Sequence, residues 1–227
     1  MDTQVKTRAA AISVASNFCL MIAKFIIGVL SGSISVISEA IHSGNDLIAA
    51  VIALFAVKES SKPPDDKHPF GHGKIENISG TIEALLIFVA AIMIIKEAIE
   101  KIIVGGENIE PTWGLLVMGI SALLNLVISS YLLKVGKEHH SIALEADGMH
   151  LRTDVYTSLG VFIGLLLIKI TGLQIIDPIV AIIVAALIIK AAYDLTRKAF
   201  VPLLDTALEE QHLQAVQHVL AEHQYLY

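Results

Sequence analysis

Six long apolar runs, separated by short polar segments, dominate the hydropathy pattern of the chain. A membrane-spanning helix needs about 20 mostly apolar residues, and each run reaches about that length. Glycine and proline fall between the runs, where helix breakers belong. The pattern therefore predicts six transmembrane helices, at 11–31, 34–57, 76–95, 113–134, 142–169 and 178–200.

Composition supports a membrane protein over a soluble domain. Hydrophobic residues make up 55% of the chain and charged residues 17%, against about 45–50% and 25% in globular proteins. The mean hydropathy is +0.70. We expect an all-α protein of the lipid bilayer. A nucleic-acid partner is not expected, because no basic stripe is present, and the lone Cys19 cannot form an internal disulfide.

Lys and Arg residues set the expected orientation. Loops on the cytoplasmic side of a membrane are enriched in these residues. With the N-terminus inside, ten lie in inner segments and three in outer ones: Lys6, Arg8, Lys58, Lys62, Lys67, Lys74, Lys134, Lys137, Arg197 and Lys198 against Lys96, Lys101 and Lys169. Both termini are therefore predicted to be cytoplasmic, in the cell (plasma or inner) membrane.

The segment after the last run has a different pattern. Thr206 to Glu209 has the form of a capping box, and Leu213, Val216 and Leu220 recur at helical spacing. We expect two parts: a six-helix transmembrane domain over 1–204, and over 205–227 the amphipathic start of a cytoplasmic domain that is absent or truncated.

Two runs carry the same pair of ionisable residues at membrane depth, where charge is costly and usually functional. His42 and Asp46 lie in the second run, and His150 and Asp154 in the fifth. Residues four apart share one helix face. Each histidine lies about eight residues into its run, or roughly 12 Å from one surface. If the two helices are antiparallel neighbours, the four side chains should meet near the middle of the membrane.

Two imidazoles and two carboxylates suit tetrahedral zinc, although cobalt, cadmium and iron accept similar ligands. Interhelical hydrogen bonding alone is the simpler alternative. The spacing Glu39, His42, Asp46 also parallels Asp147, His150, Asp154. Because the two runs have opposite directions, runs 1–3 and 4–6 could form an inverted repeat with its site at the interface, as in many transporters.

A second group of candidate ligands lies between the second and third runs. Asp65, His68 and His72 fall in the segment Asp65-Asp-Lys-His-Pro-Phe-Gly-His-Gly-Lys74. This segment could be a surface metal site, an entry funnel for cations or a solvated turn.

Four motifs, in order along six spans, resemble the cation diffusion facilitator family. They are Ser38-Glu-Ala-Ile-His42-Ser-Gly-Asn-Asp46, the loop from Asp65 to Lys74, Ala146-Asp-Gly-Met-His150-Leu-Arg-Thr-Asp154, and Pro202-Leu-Leu-Asp205. The likeness covers about residues 1–210. It implies a homodimeric secondary transporter that exports a divalent metal ion from the cytoplasm in exchange for protons.

The resemblance also assigns residues. His42, Asp46, His150 and Asp154 match the family's transport site, and Asp65, His68 and His72 match a second site in the loop. Lys74 and Asp205 match a charge pair near the dimer interface of some members. The His-Asp pattern resembles the zinc branch, since manganese branches usually carry Asp or Asn first. Fe²⁺, Co²⁺, Cd²⁺ and Mn²⁺ remain alternatives, and no bound cofactor is expected.

Three other classes of function compete with transport. A zinc hydrolase usually leaves one metal position open for water, whereas four protein ligands close the site, and no His-Glu-x-x-His motif is present. A channel needs ions to leave easily, which a four-ligand site opposes. A metal receptor without transport activity is the third alternative.

Overall fold

The structure is a computed structural model that describes residues 2–31, 34–104, 113–173, 175–204 and 210–222. These residues form seven α-helices and one short 3-10 helix, and no strand occurs among them. The helices are α1 (Asp2–Ser31), α2 (Ile34–Ser60), α3 (Lys74–Val104), α4 (Trp113–Glu138), α5 (Ile142–Thr171), α6 (Ile176–Phe200) and α7 (Glu210–Glu222), with the 3-10 helix at Val201–Leu204.

The six predicted transmembrane helices are confirmed, since α1 to α6 are each long and apolar enough to cross a membrane. Several extend beyond the predicted bounds. The helix predicted at 11–31 begins at Asp2, and the one predicted at 76–95 covers Lys74–Val104. Hydropathy marks only the lipid-facing part of a helix, because its polar ends continue into the interfacial region.

The six membrane helices pack as a group of four beside a pair. Helices α1, α2, α4 and α5 contact one another, and α3 packs against α6; this pair contacts the group mainly through α5. The contacts made by α1, α2 and α3 are nearly the same as those made by α4, α5 and α6 in turn. The exception is that α3 contacts α5, whereas no equivalent contact between α6 and α2 occurs among the described residues. The inverted repeat stays a prediction that this arrangement favours.

Small residues fill the interfaces between these helices. One core cluster joins α1, α2, α4 and α5 around Ala9, Ala10, Ala53, Ala56 and Ala143. Another joins α3, α5 and α6 around Ala84, Ala91 and Ala192. Because lipid tails are as apolar as the side chains, membrane helices associate through close van der Waals packing, which small residues allow. This packing fixes the positions of the polar side chains on α2 and α5.

One carboxylate joins four helices at the end of the bundle that carries the 61–73 loop. Glu76 of α3 is 2.8 Å from Lys6 Nζ of α1 and accepts a hydrogen bond from Ser60 Oγ of α2. Its other oxygen accepts from Ser141 Oγ, the N-cap residue of α5. Glu145 of α5 pairs with Lys198 of α6 at the same end. Charge-assisted hydrogen bonds of this kind are about twice as strong as neutral ones.

The turn between α4 and α5 leaves no room for a side chain at Gly136. A Cβ atom there would lie 2.9 Å from the backbone nitrogen of Glu145 and 3.2 Å from the carbonyl oxygen of Ser141. Gly136→Ala should therefore lower the free energy of unfolding by about 1–3 kcal/mol, the usual cost of overpacking.

Gly119→Ala is the matched control, since it lies on the same helix and its Cβ would meet nothing within 4 Å. Thermal unfolding of the purified protein in detergent measures both variants. Equal midpoints for the two would contradict the close approach of α4 and α5.

The last described helix, α7, has Leu213, Val216 and Leu220 exposed along it, at the predicted helical spacing. It makes no contact with another element among the described residues. The capping box at 206–209 lies outside those residues.

Candidate metal centre

Helices α2 and α5 pack against each other and bring the four polar residues of the sequence prediction together. His150 Nε2 is 3.3 Å from Asp46 Oδ1. His42 Nε2 lies 3.9 Å from Asp46 Oδ1 and 3.8 Å from Asp154 Oδ1. One ligand atom each from His42, Asp46 and Asp154 falls within 4.8 Å of the others, whereas His150 lies outside this group of three and contacts it through Asp46. We call His42, Asp46, His150 and Asp154 the central quartet.

These separations fit a small ion with tetrahedral coordination. Ligand atoms about 2.0–2.1 Å from a zinc ion lie about 3.3 Å from one another. The three contacts of 3.3–3.9 Å are close to that spacing, and His150 would have to move closer to His42 and Asp154 to complete a four-ligand site. The donor set of two nitrogens and two carboxylate oxygens also matches zinc chemistry.

The central quartet combines buried and accessible atoms. Asp46 is 4% exposed, whereas the His42 side chain is 53% exposed. A cavity of about 60 Å³ opens beside them, and its lining residues are Lys24, His42, Asp46, Ser121, Ala122, Asn125, Asp154, Thr157 and Ser158. A buried carboxylate with an imidazole at a polar cavity is an arrangement through which an ion could enter and leave.

Lys24 is a residue of this cavity that the sequence analysis did not assign. It is 5% exposed, and its Nζ donates a 2.8 Å hydrogen bond to Ser43 Oγ, one position after His42. A positive charge beside two carboxylates offsets part of their charge when no metal ion is bound. A lone lysine inside an apolar run was the available signal, because such a residue at membrane depth usually has a partner.

The loop residues Asp65, His68 and His72 also lie together. Asp65 Oδ1 is 3.0 Å from His68 Nδ1, and Asp65 Oδ2 is 3.4 Å from His72 Nε2. The two imidazole rings are 4.4 Å apart between centroids. Gly71, with φ of 82°, turns the chain so that both histidines face one carboxylate. Together these three residues, which we call the loop cluster, form a second group able to hold a metal ion.

Local hydrogen bonds keep the loop carboxylate charged. The backbone N–H of His68 donates to Asp65 Oδ1 at 2.7 Å, and that of Lys67 donates at 2.9 Å. These bonds, led by the one from His68, lower the pKa of Asp65 below its ordinary value. The carboxylate is therefore ionised, and able to act as a ligand, at any pH where a histidine ligand is neutral.

The charge pair expected between Lys74 and Asp205 cannot be placed, because Asp205 lies outside the described residues. Lys74 is the first residue of α3 and is exposed.

Comparison with known proteins identifies the architecture that carries this site. The family model described as the cation efflux transmembrane domain matches residues 10–204, which include all six membrane helices. The chain belongs to the cation diffusion facilitator family. It is thus a multi-pass membrane protein of a family of cation transporters, and membership of a transporter family counts against the zinc hydrolase alternative.

Several relatives of this cation diffusion facilitator are named as transporters. The chain is 41% identical to an uncharacterised transporter of Methanocaldococcus jannaschii, over 81% of this chain and 65% of that protein. It is 31% identical to a manganese efflux system protein of Bacillus subtilis, over 96% and 75%. It is 30% identical to a zinc transporter of Yersinia pestis, over 92% and 66%. The chain therefore spans about two thirds to three quarters of these relatives.

Proposed function

We propose that this protein moves a divalent metal ion, with zinc favoured, out of the cytoplasm through the central quartet in exchange for protons. The observation that carries the proposal is the convergence of ligand atoms from α2 and α5, with separations of 3.3–3.9 Å, inside the membrane domain. Membership of a cation transporter family supports transport over binding alone.

Donor chemistry favours zinc among the divalent ions. Imidazole nitrogen suits zinc, whereas carboxylate, carbonyl and water suit manganese. His42 and His150 supply half of the ligands. Manganese is the second candidate, since a manganese efflux protein is as similar to this chain as a zinc transporter is.

Proton exchange follows from the chemistry of the same four side chains. Metal ligands must be deprotonated, so metal binding releases protons. When the ion leaves, Asp46 and Asp154 remain at membrane depth, where bare carboxylates are costly. We expect the emptied central quartet to take up protons, since a free imidazole titrates near 6.5, and to complete its cycle carrying them.

Sealed vesicles test the exchange directly. Purified protein is reconstituted with a pH dye inside, and a zinc gradient is imposed from outside. Zinc entry should drive protons out, and an opposing pH gradient should slow the entry. Zinc flux without proton movement would contradict the exchange and leave the metal site standing. Parallel vesicles with manganese rank the two candidate ions.

The proposed direction of export requires the 61–73 loop to face the cytoplasm. A cysteine at position 66, in a Cys19→Ser background, should resist an impermeant thiol reagent applied to intact cells. Leu173→Cys is the matched control: residue 173 is 57% exposed and follows α5 at the opposite end of the bundle, so it should react. Labelling at 66 but not at 173 would reverse the topology.

The homodimer and the loop cluster complete the proposal. Asp65, His68 and His72 would bind an ion at the loop, next to the joint made by Glu76. The homodimer is proposed on the family resemblance, and the mass of the purified protein in detergent tests it.

A further inference from the structure

Two buried carboxylates, unlike the other buried ones among the described residues, have no basic partner there within hydrogen-bond reach. The buried acidic residues among the described positions are Asp46, Glu76, Glu83, Glu145 and Asp147. Glu76 pairs with Lys6 and Glu145 with Lys198, and Asp46 lies against His150. Glu83 and Asp147 are both 0% exposed. Neither oxygen of Asp147, nor Glu83 Oε2, has a hydrogen-bond partner among the described residues.

These two carboxylates belong to one polar region enclosed by three helices. Glu83 on α3 and Asp147 on α5 lie within electrostatic reach of each other. Ser13 on α1 is 0% exposed, and its hydroxyl lies beside Asp147 without a hydrogen-bond partner among the described residues.

Each carboxylate in this region, when ionised, favours a positive charge nearby. A buried carboxylate without a partner is expensive, and two that lie close together repel each other. A cation bound between them offsets both costs. The donors that lie together here are oxygens, namely the two carboxylates and the Ser13 hydroxyl. Such a set suits hard divalent ions, with manganese and magnesium as examples.

We propose that Glu83 and Asp147, with Ser13, form a second cation site that binds a divalent metal ion through oxygen ligands. The site lies one helical turn from the central quartet, since Asp147 precedes His150 by about 4.5 Å along α5, towards the end that carries the 61–73 loop. A role for this site in binding the transported ion during its passage rests on the proposed function. The ability of the site to bind an ion does not depend on that function.

The neighbouring charges give the second site a consequence for ion movement. His150 and Asp46 of the central quartet lie within electrostatic reach of Asp147. An ion in one site therefore weakens the binding of an ion in the other by like-charge repulsion. Repulsion between ions in two adjacent sites makes release of an ion easier, whereas a single tight site makes its release slow.

Equilibrium binding of Mn²⁺ alone to the purified full chain tests the site. The central quartet is disabled by His42→Ala with Asp154→Ala, and the loop cluster by Asp65→Ala. Electron paramagnetic resonance of bound Mn²⁺ should then show residual binding. Glu83→Gln, and separately Asp147→Asn, should weaken that binding by about tenfold or more.

Glu145→Gln is the matched control, because it removes a buried carboxylate of α5 that already has a lysine partner. It should leave the residual Mn²⁺ affinity unchanged. Glu83→Gln should not lower the unfolding midpoint, since it replaces an unpaired buried charge by a neutral group of the same size. Ser13→Ala keeps both carboxylates and should weaken Mn²⁺ binding without unfolding the protein.

Two results would overturn the second site. One is no Mn²⁺ binding by the variant in which the central quartet and the loop cluster are disabled, and the other is equal Mn²⁺ binding with and without Glu83→Gln in that variant. A change confined to proton uptake would also overturn it, since that result would assign the two carboxylates to protons alone. Absence of zinc flux in wild-type vesicles would instead defeat the proposed function and leave the Mn²⁺ result valid.

Discussion

Asp154→Ala should reduce zinc flux in sealed vesicles by about 100-fold or to background, the largest effect expected of any single change in this protein. Asp154 Oδ1 lies 3.8 Å from His42 Nε2, and its Oδ2 is buried without a hydrogen-bond partner among the described residues. The substitution removes a ligand and half of the carboxylate charge that offsets the ion. Loss of a group supporting a metal ligand already costs about 10–100-fold, and loss of the ligand costs more.

Asp177→Ala provides the control for Asp154→Ala. Asp177 is a similarly sheltered carboxylate on α6, 16% exposed and 3.7 Å from Lys101 Nζ. It lies beside Gly164, which is about 15 Å beyond Asp154 along α5. Its removal should affect stability more than zinc flux. Equal flux losses in the two variants, after correction for the amount of folded protein, would show that Asp154 has a structural role only.

The second large effect concerns selectivity. His42→Asp should keep a metal site but shift it towards larger ions, raising the ratio of cadmium to zinc transport by about tenfold. Replacing the imidazole by a carboxylate adds a negative charge and supplies an oxygen ligand on a shorter side chain. Sites rich in oxygen ligands accept larger ions and more variable coordination numbers. The half-exposed position of His42 at the cavity leaves room for that adjustment.

Competition between cadmium and zinc in the same vesicles measures the ratio. His72→Asp makes the same chemical change in the loop cluster and should leave the ratio unaltered, because the loop cluster is separate from the central quartet. An unchanged ratio in His42→Asp would mean that His42 does not set selectivity.

Much of the central quartet could be predicted because spacing alone carries the information. Two residues four apart on a helix must share a face, and two such pairs at equal depth must meet if their helices pack together. The structure brings α2 and α5 together. The hydropathy runs located the helices for a similar reason, since lipid forces the whole backbone into helical hydrogen bonding.

Glu83 and Lys24 show where that reasoning stops. Each is the single charged residue in the interior of an apolar run, with no second charged residue four positions away whose spacing would reveal its direction. Their surroundings depend on which helices become neighbours, α1 with α2 for Lys24 and α3 with α5 for Glu83. Neighbour choice arises from packing of small residues such as Ala53 and Ala84, and sequence periodicity does not encode it.

The shared hydrogen bonding of Glu76 makes the loop end of the bundle resist separation of its helices. Separating α1, α2 and α5 at the loop end requires breaking bonds to one carboxylate from Lys6, Ser60 and Ser141, each worth about 1.5–3 kcal/mol when a charged group takes part. At rest the protein should therefore favour the conformer in which the helices are closed together at the loop end, held by the hydrogen bonds to Glu76.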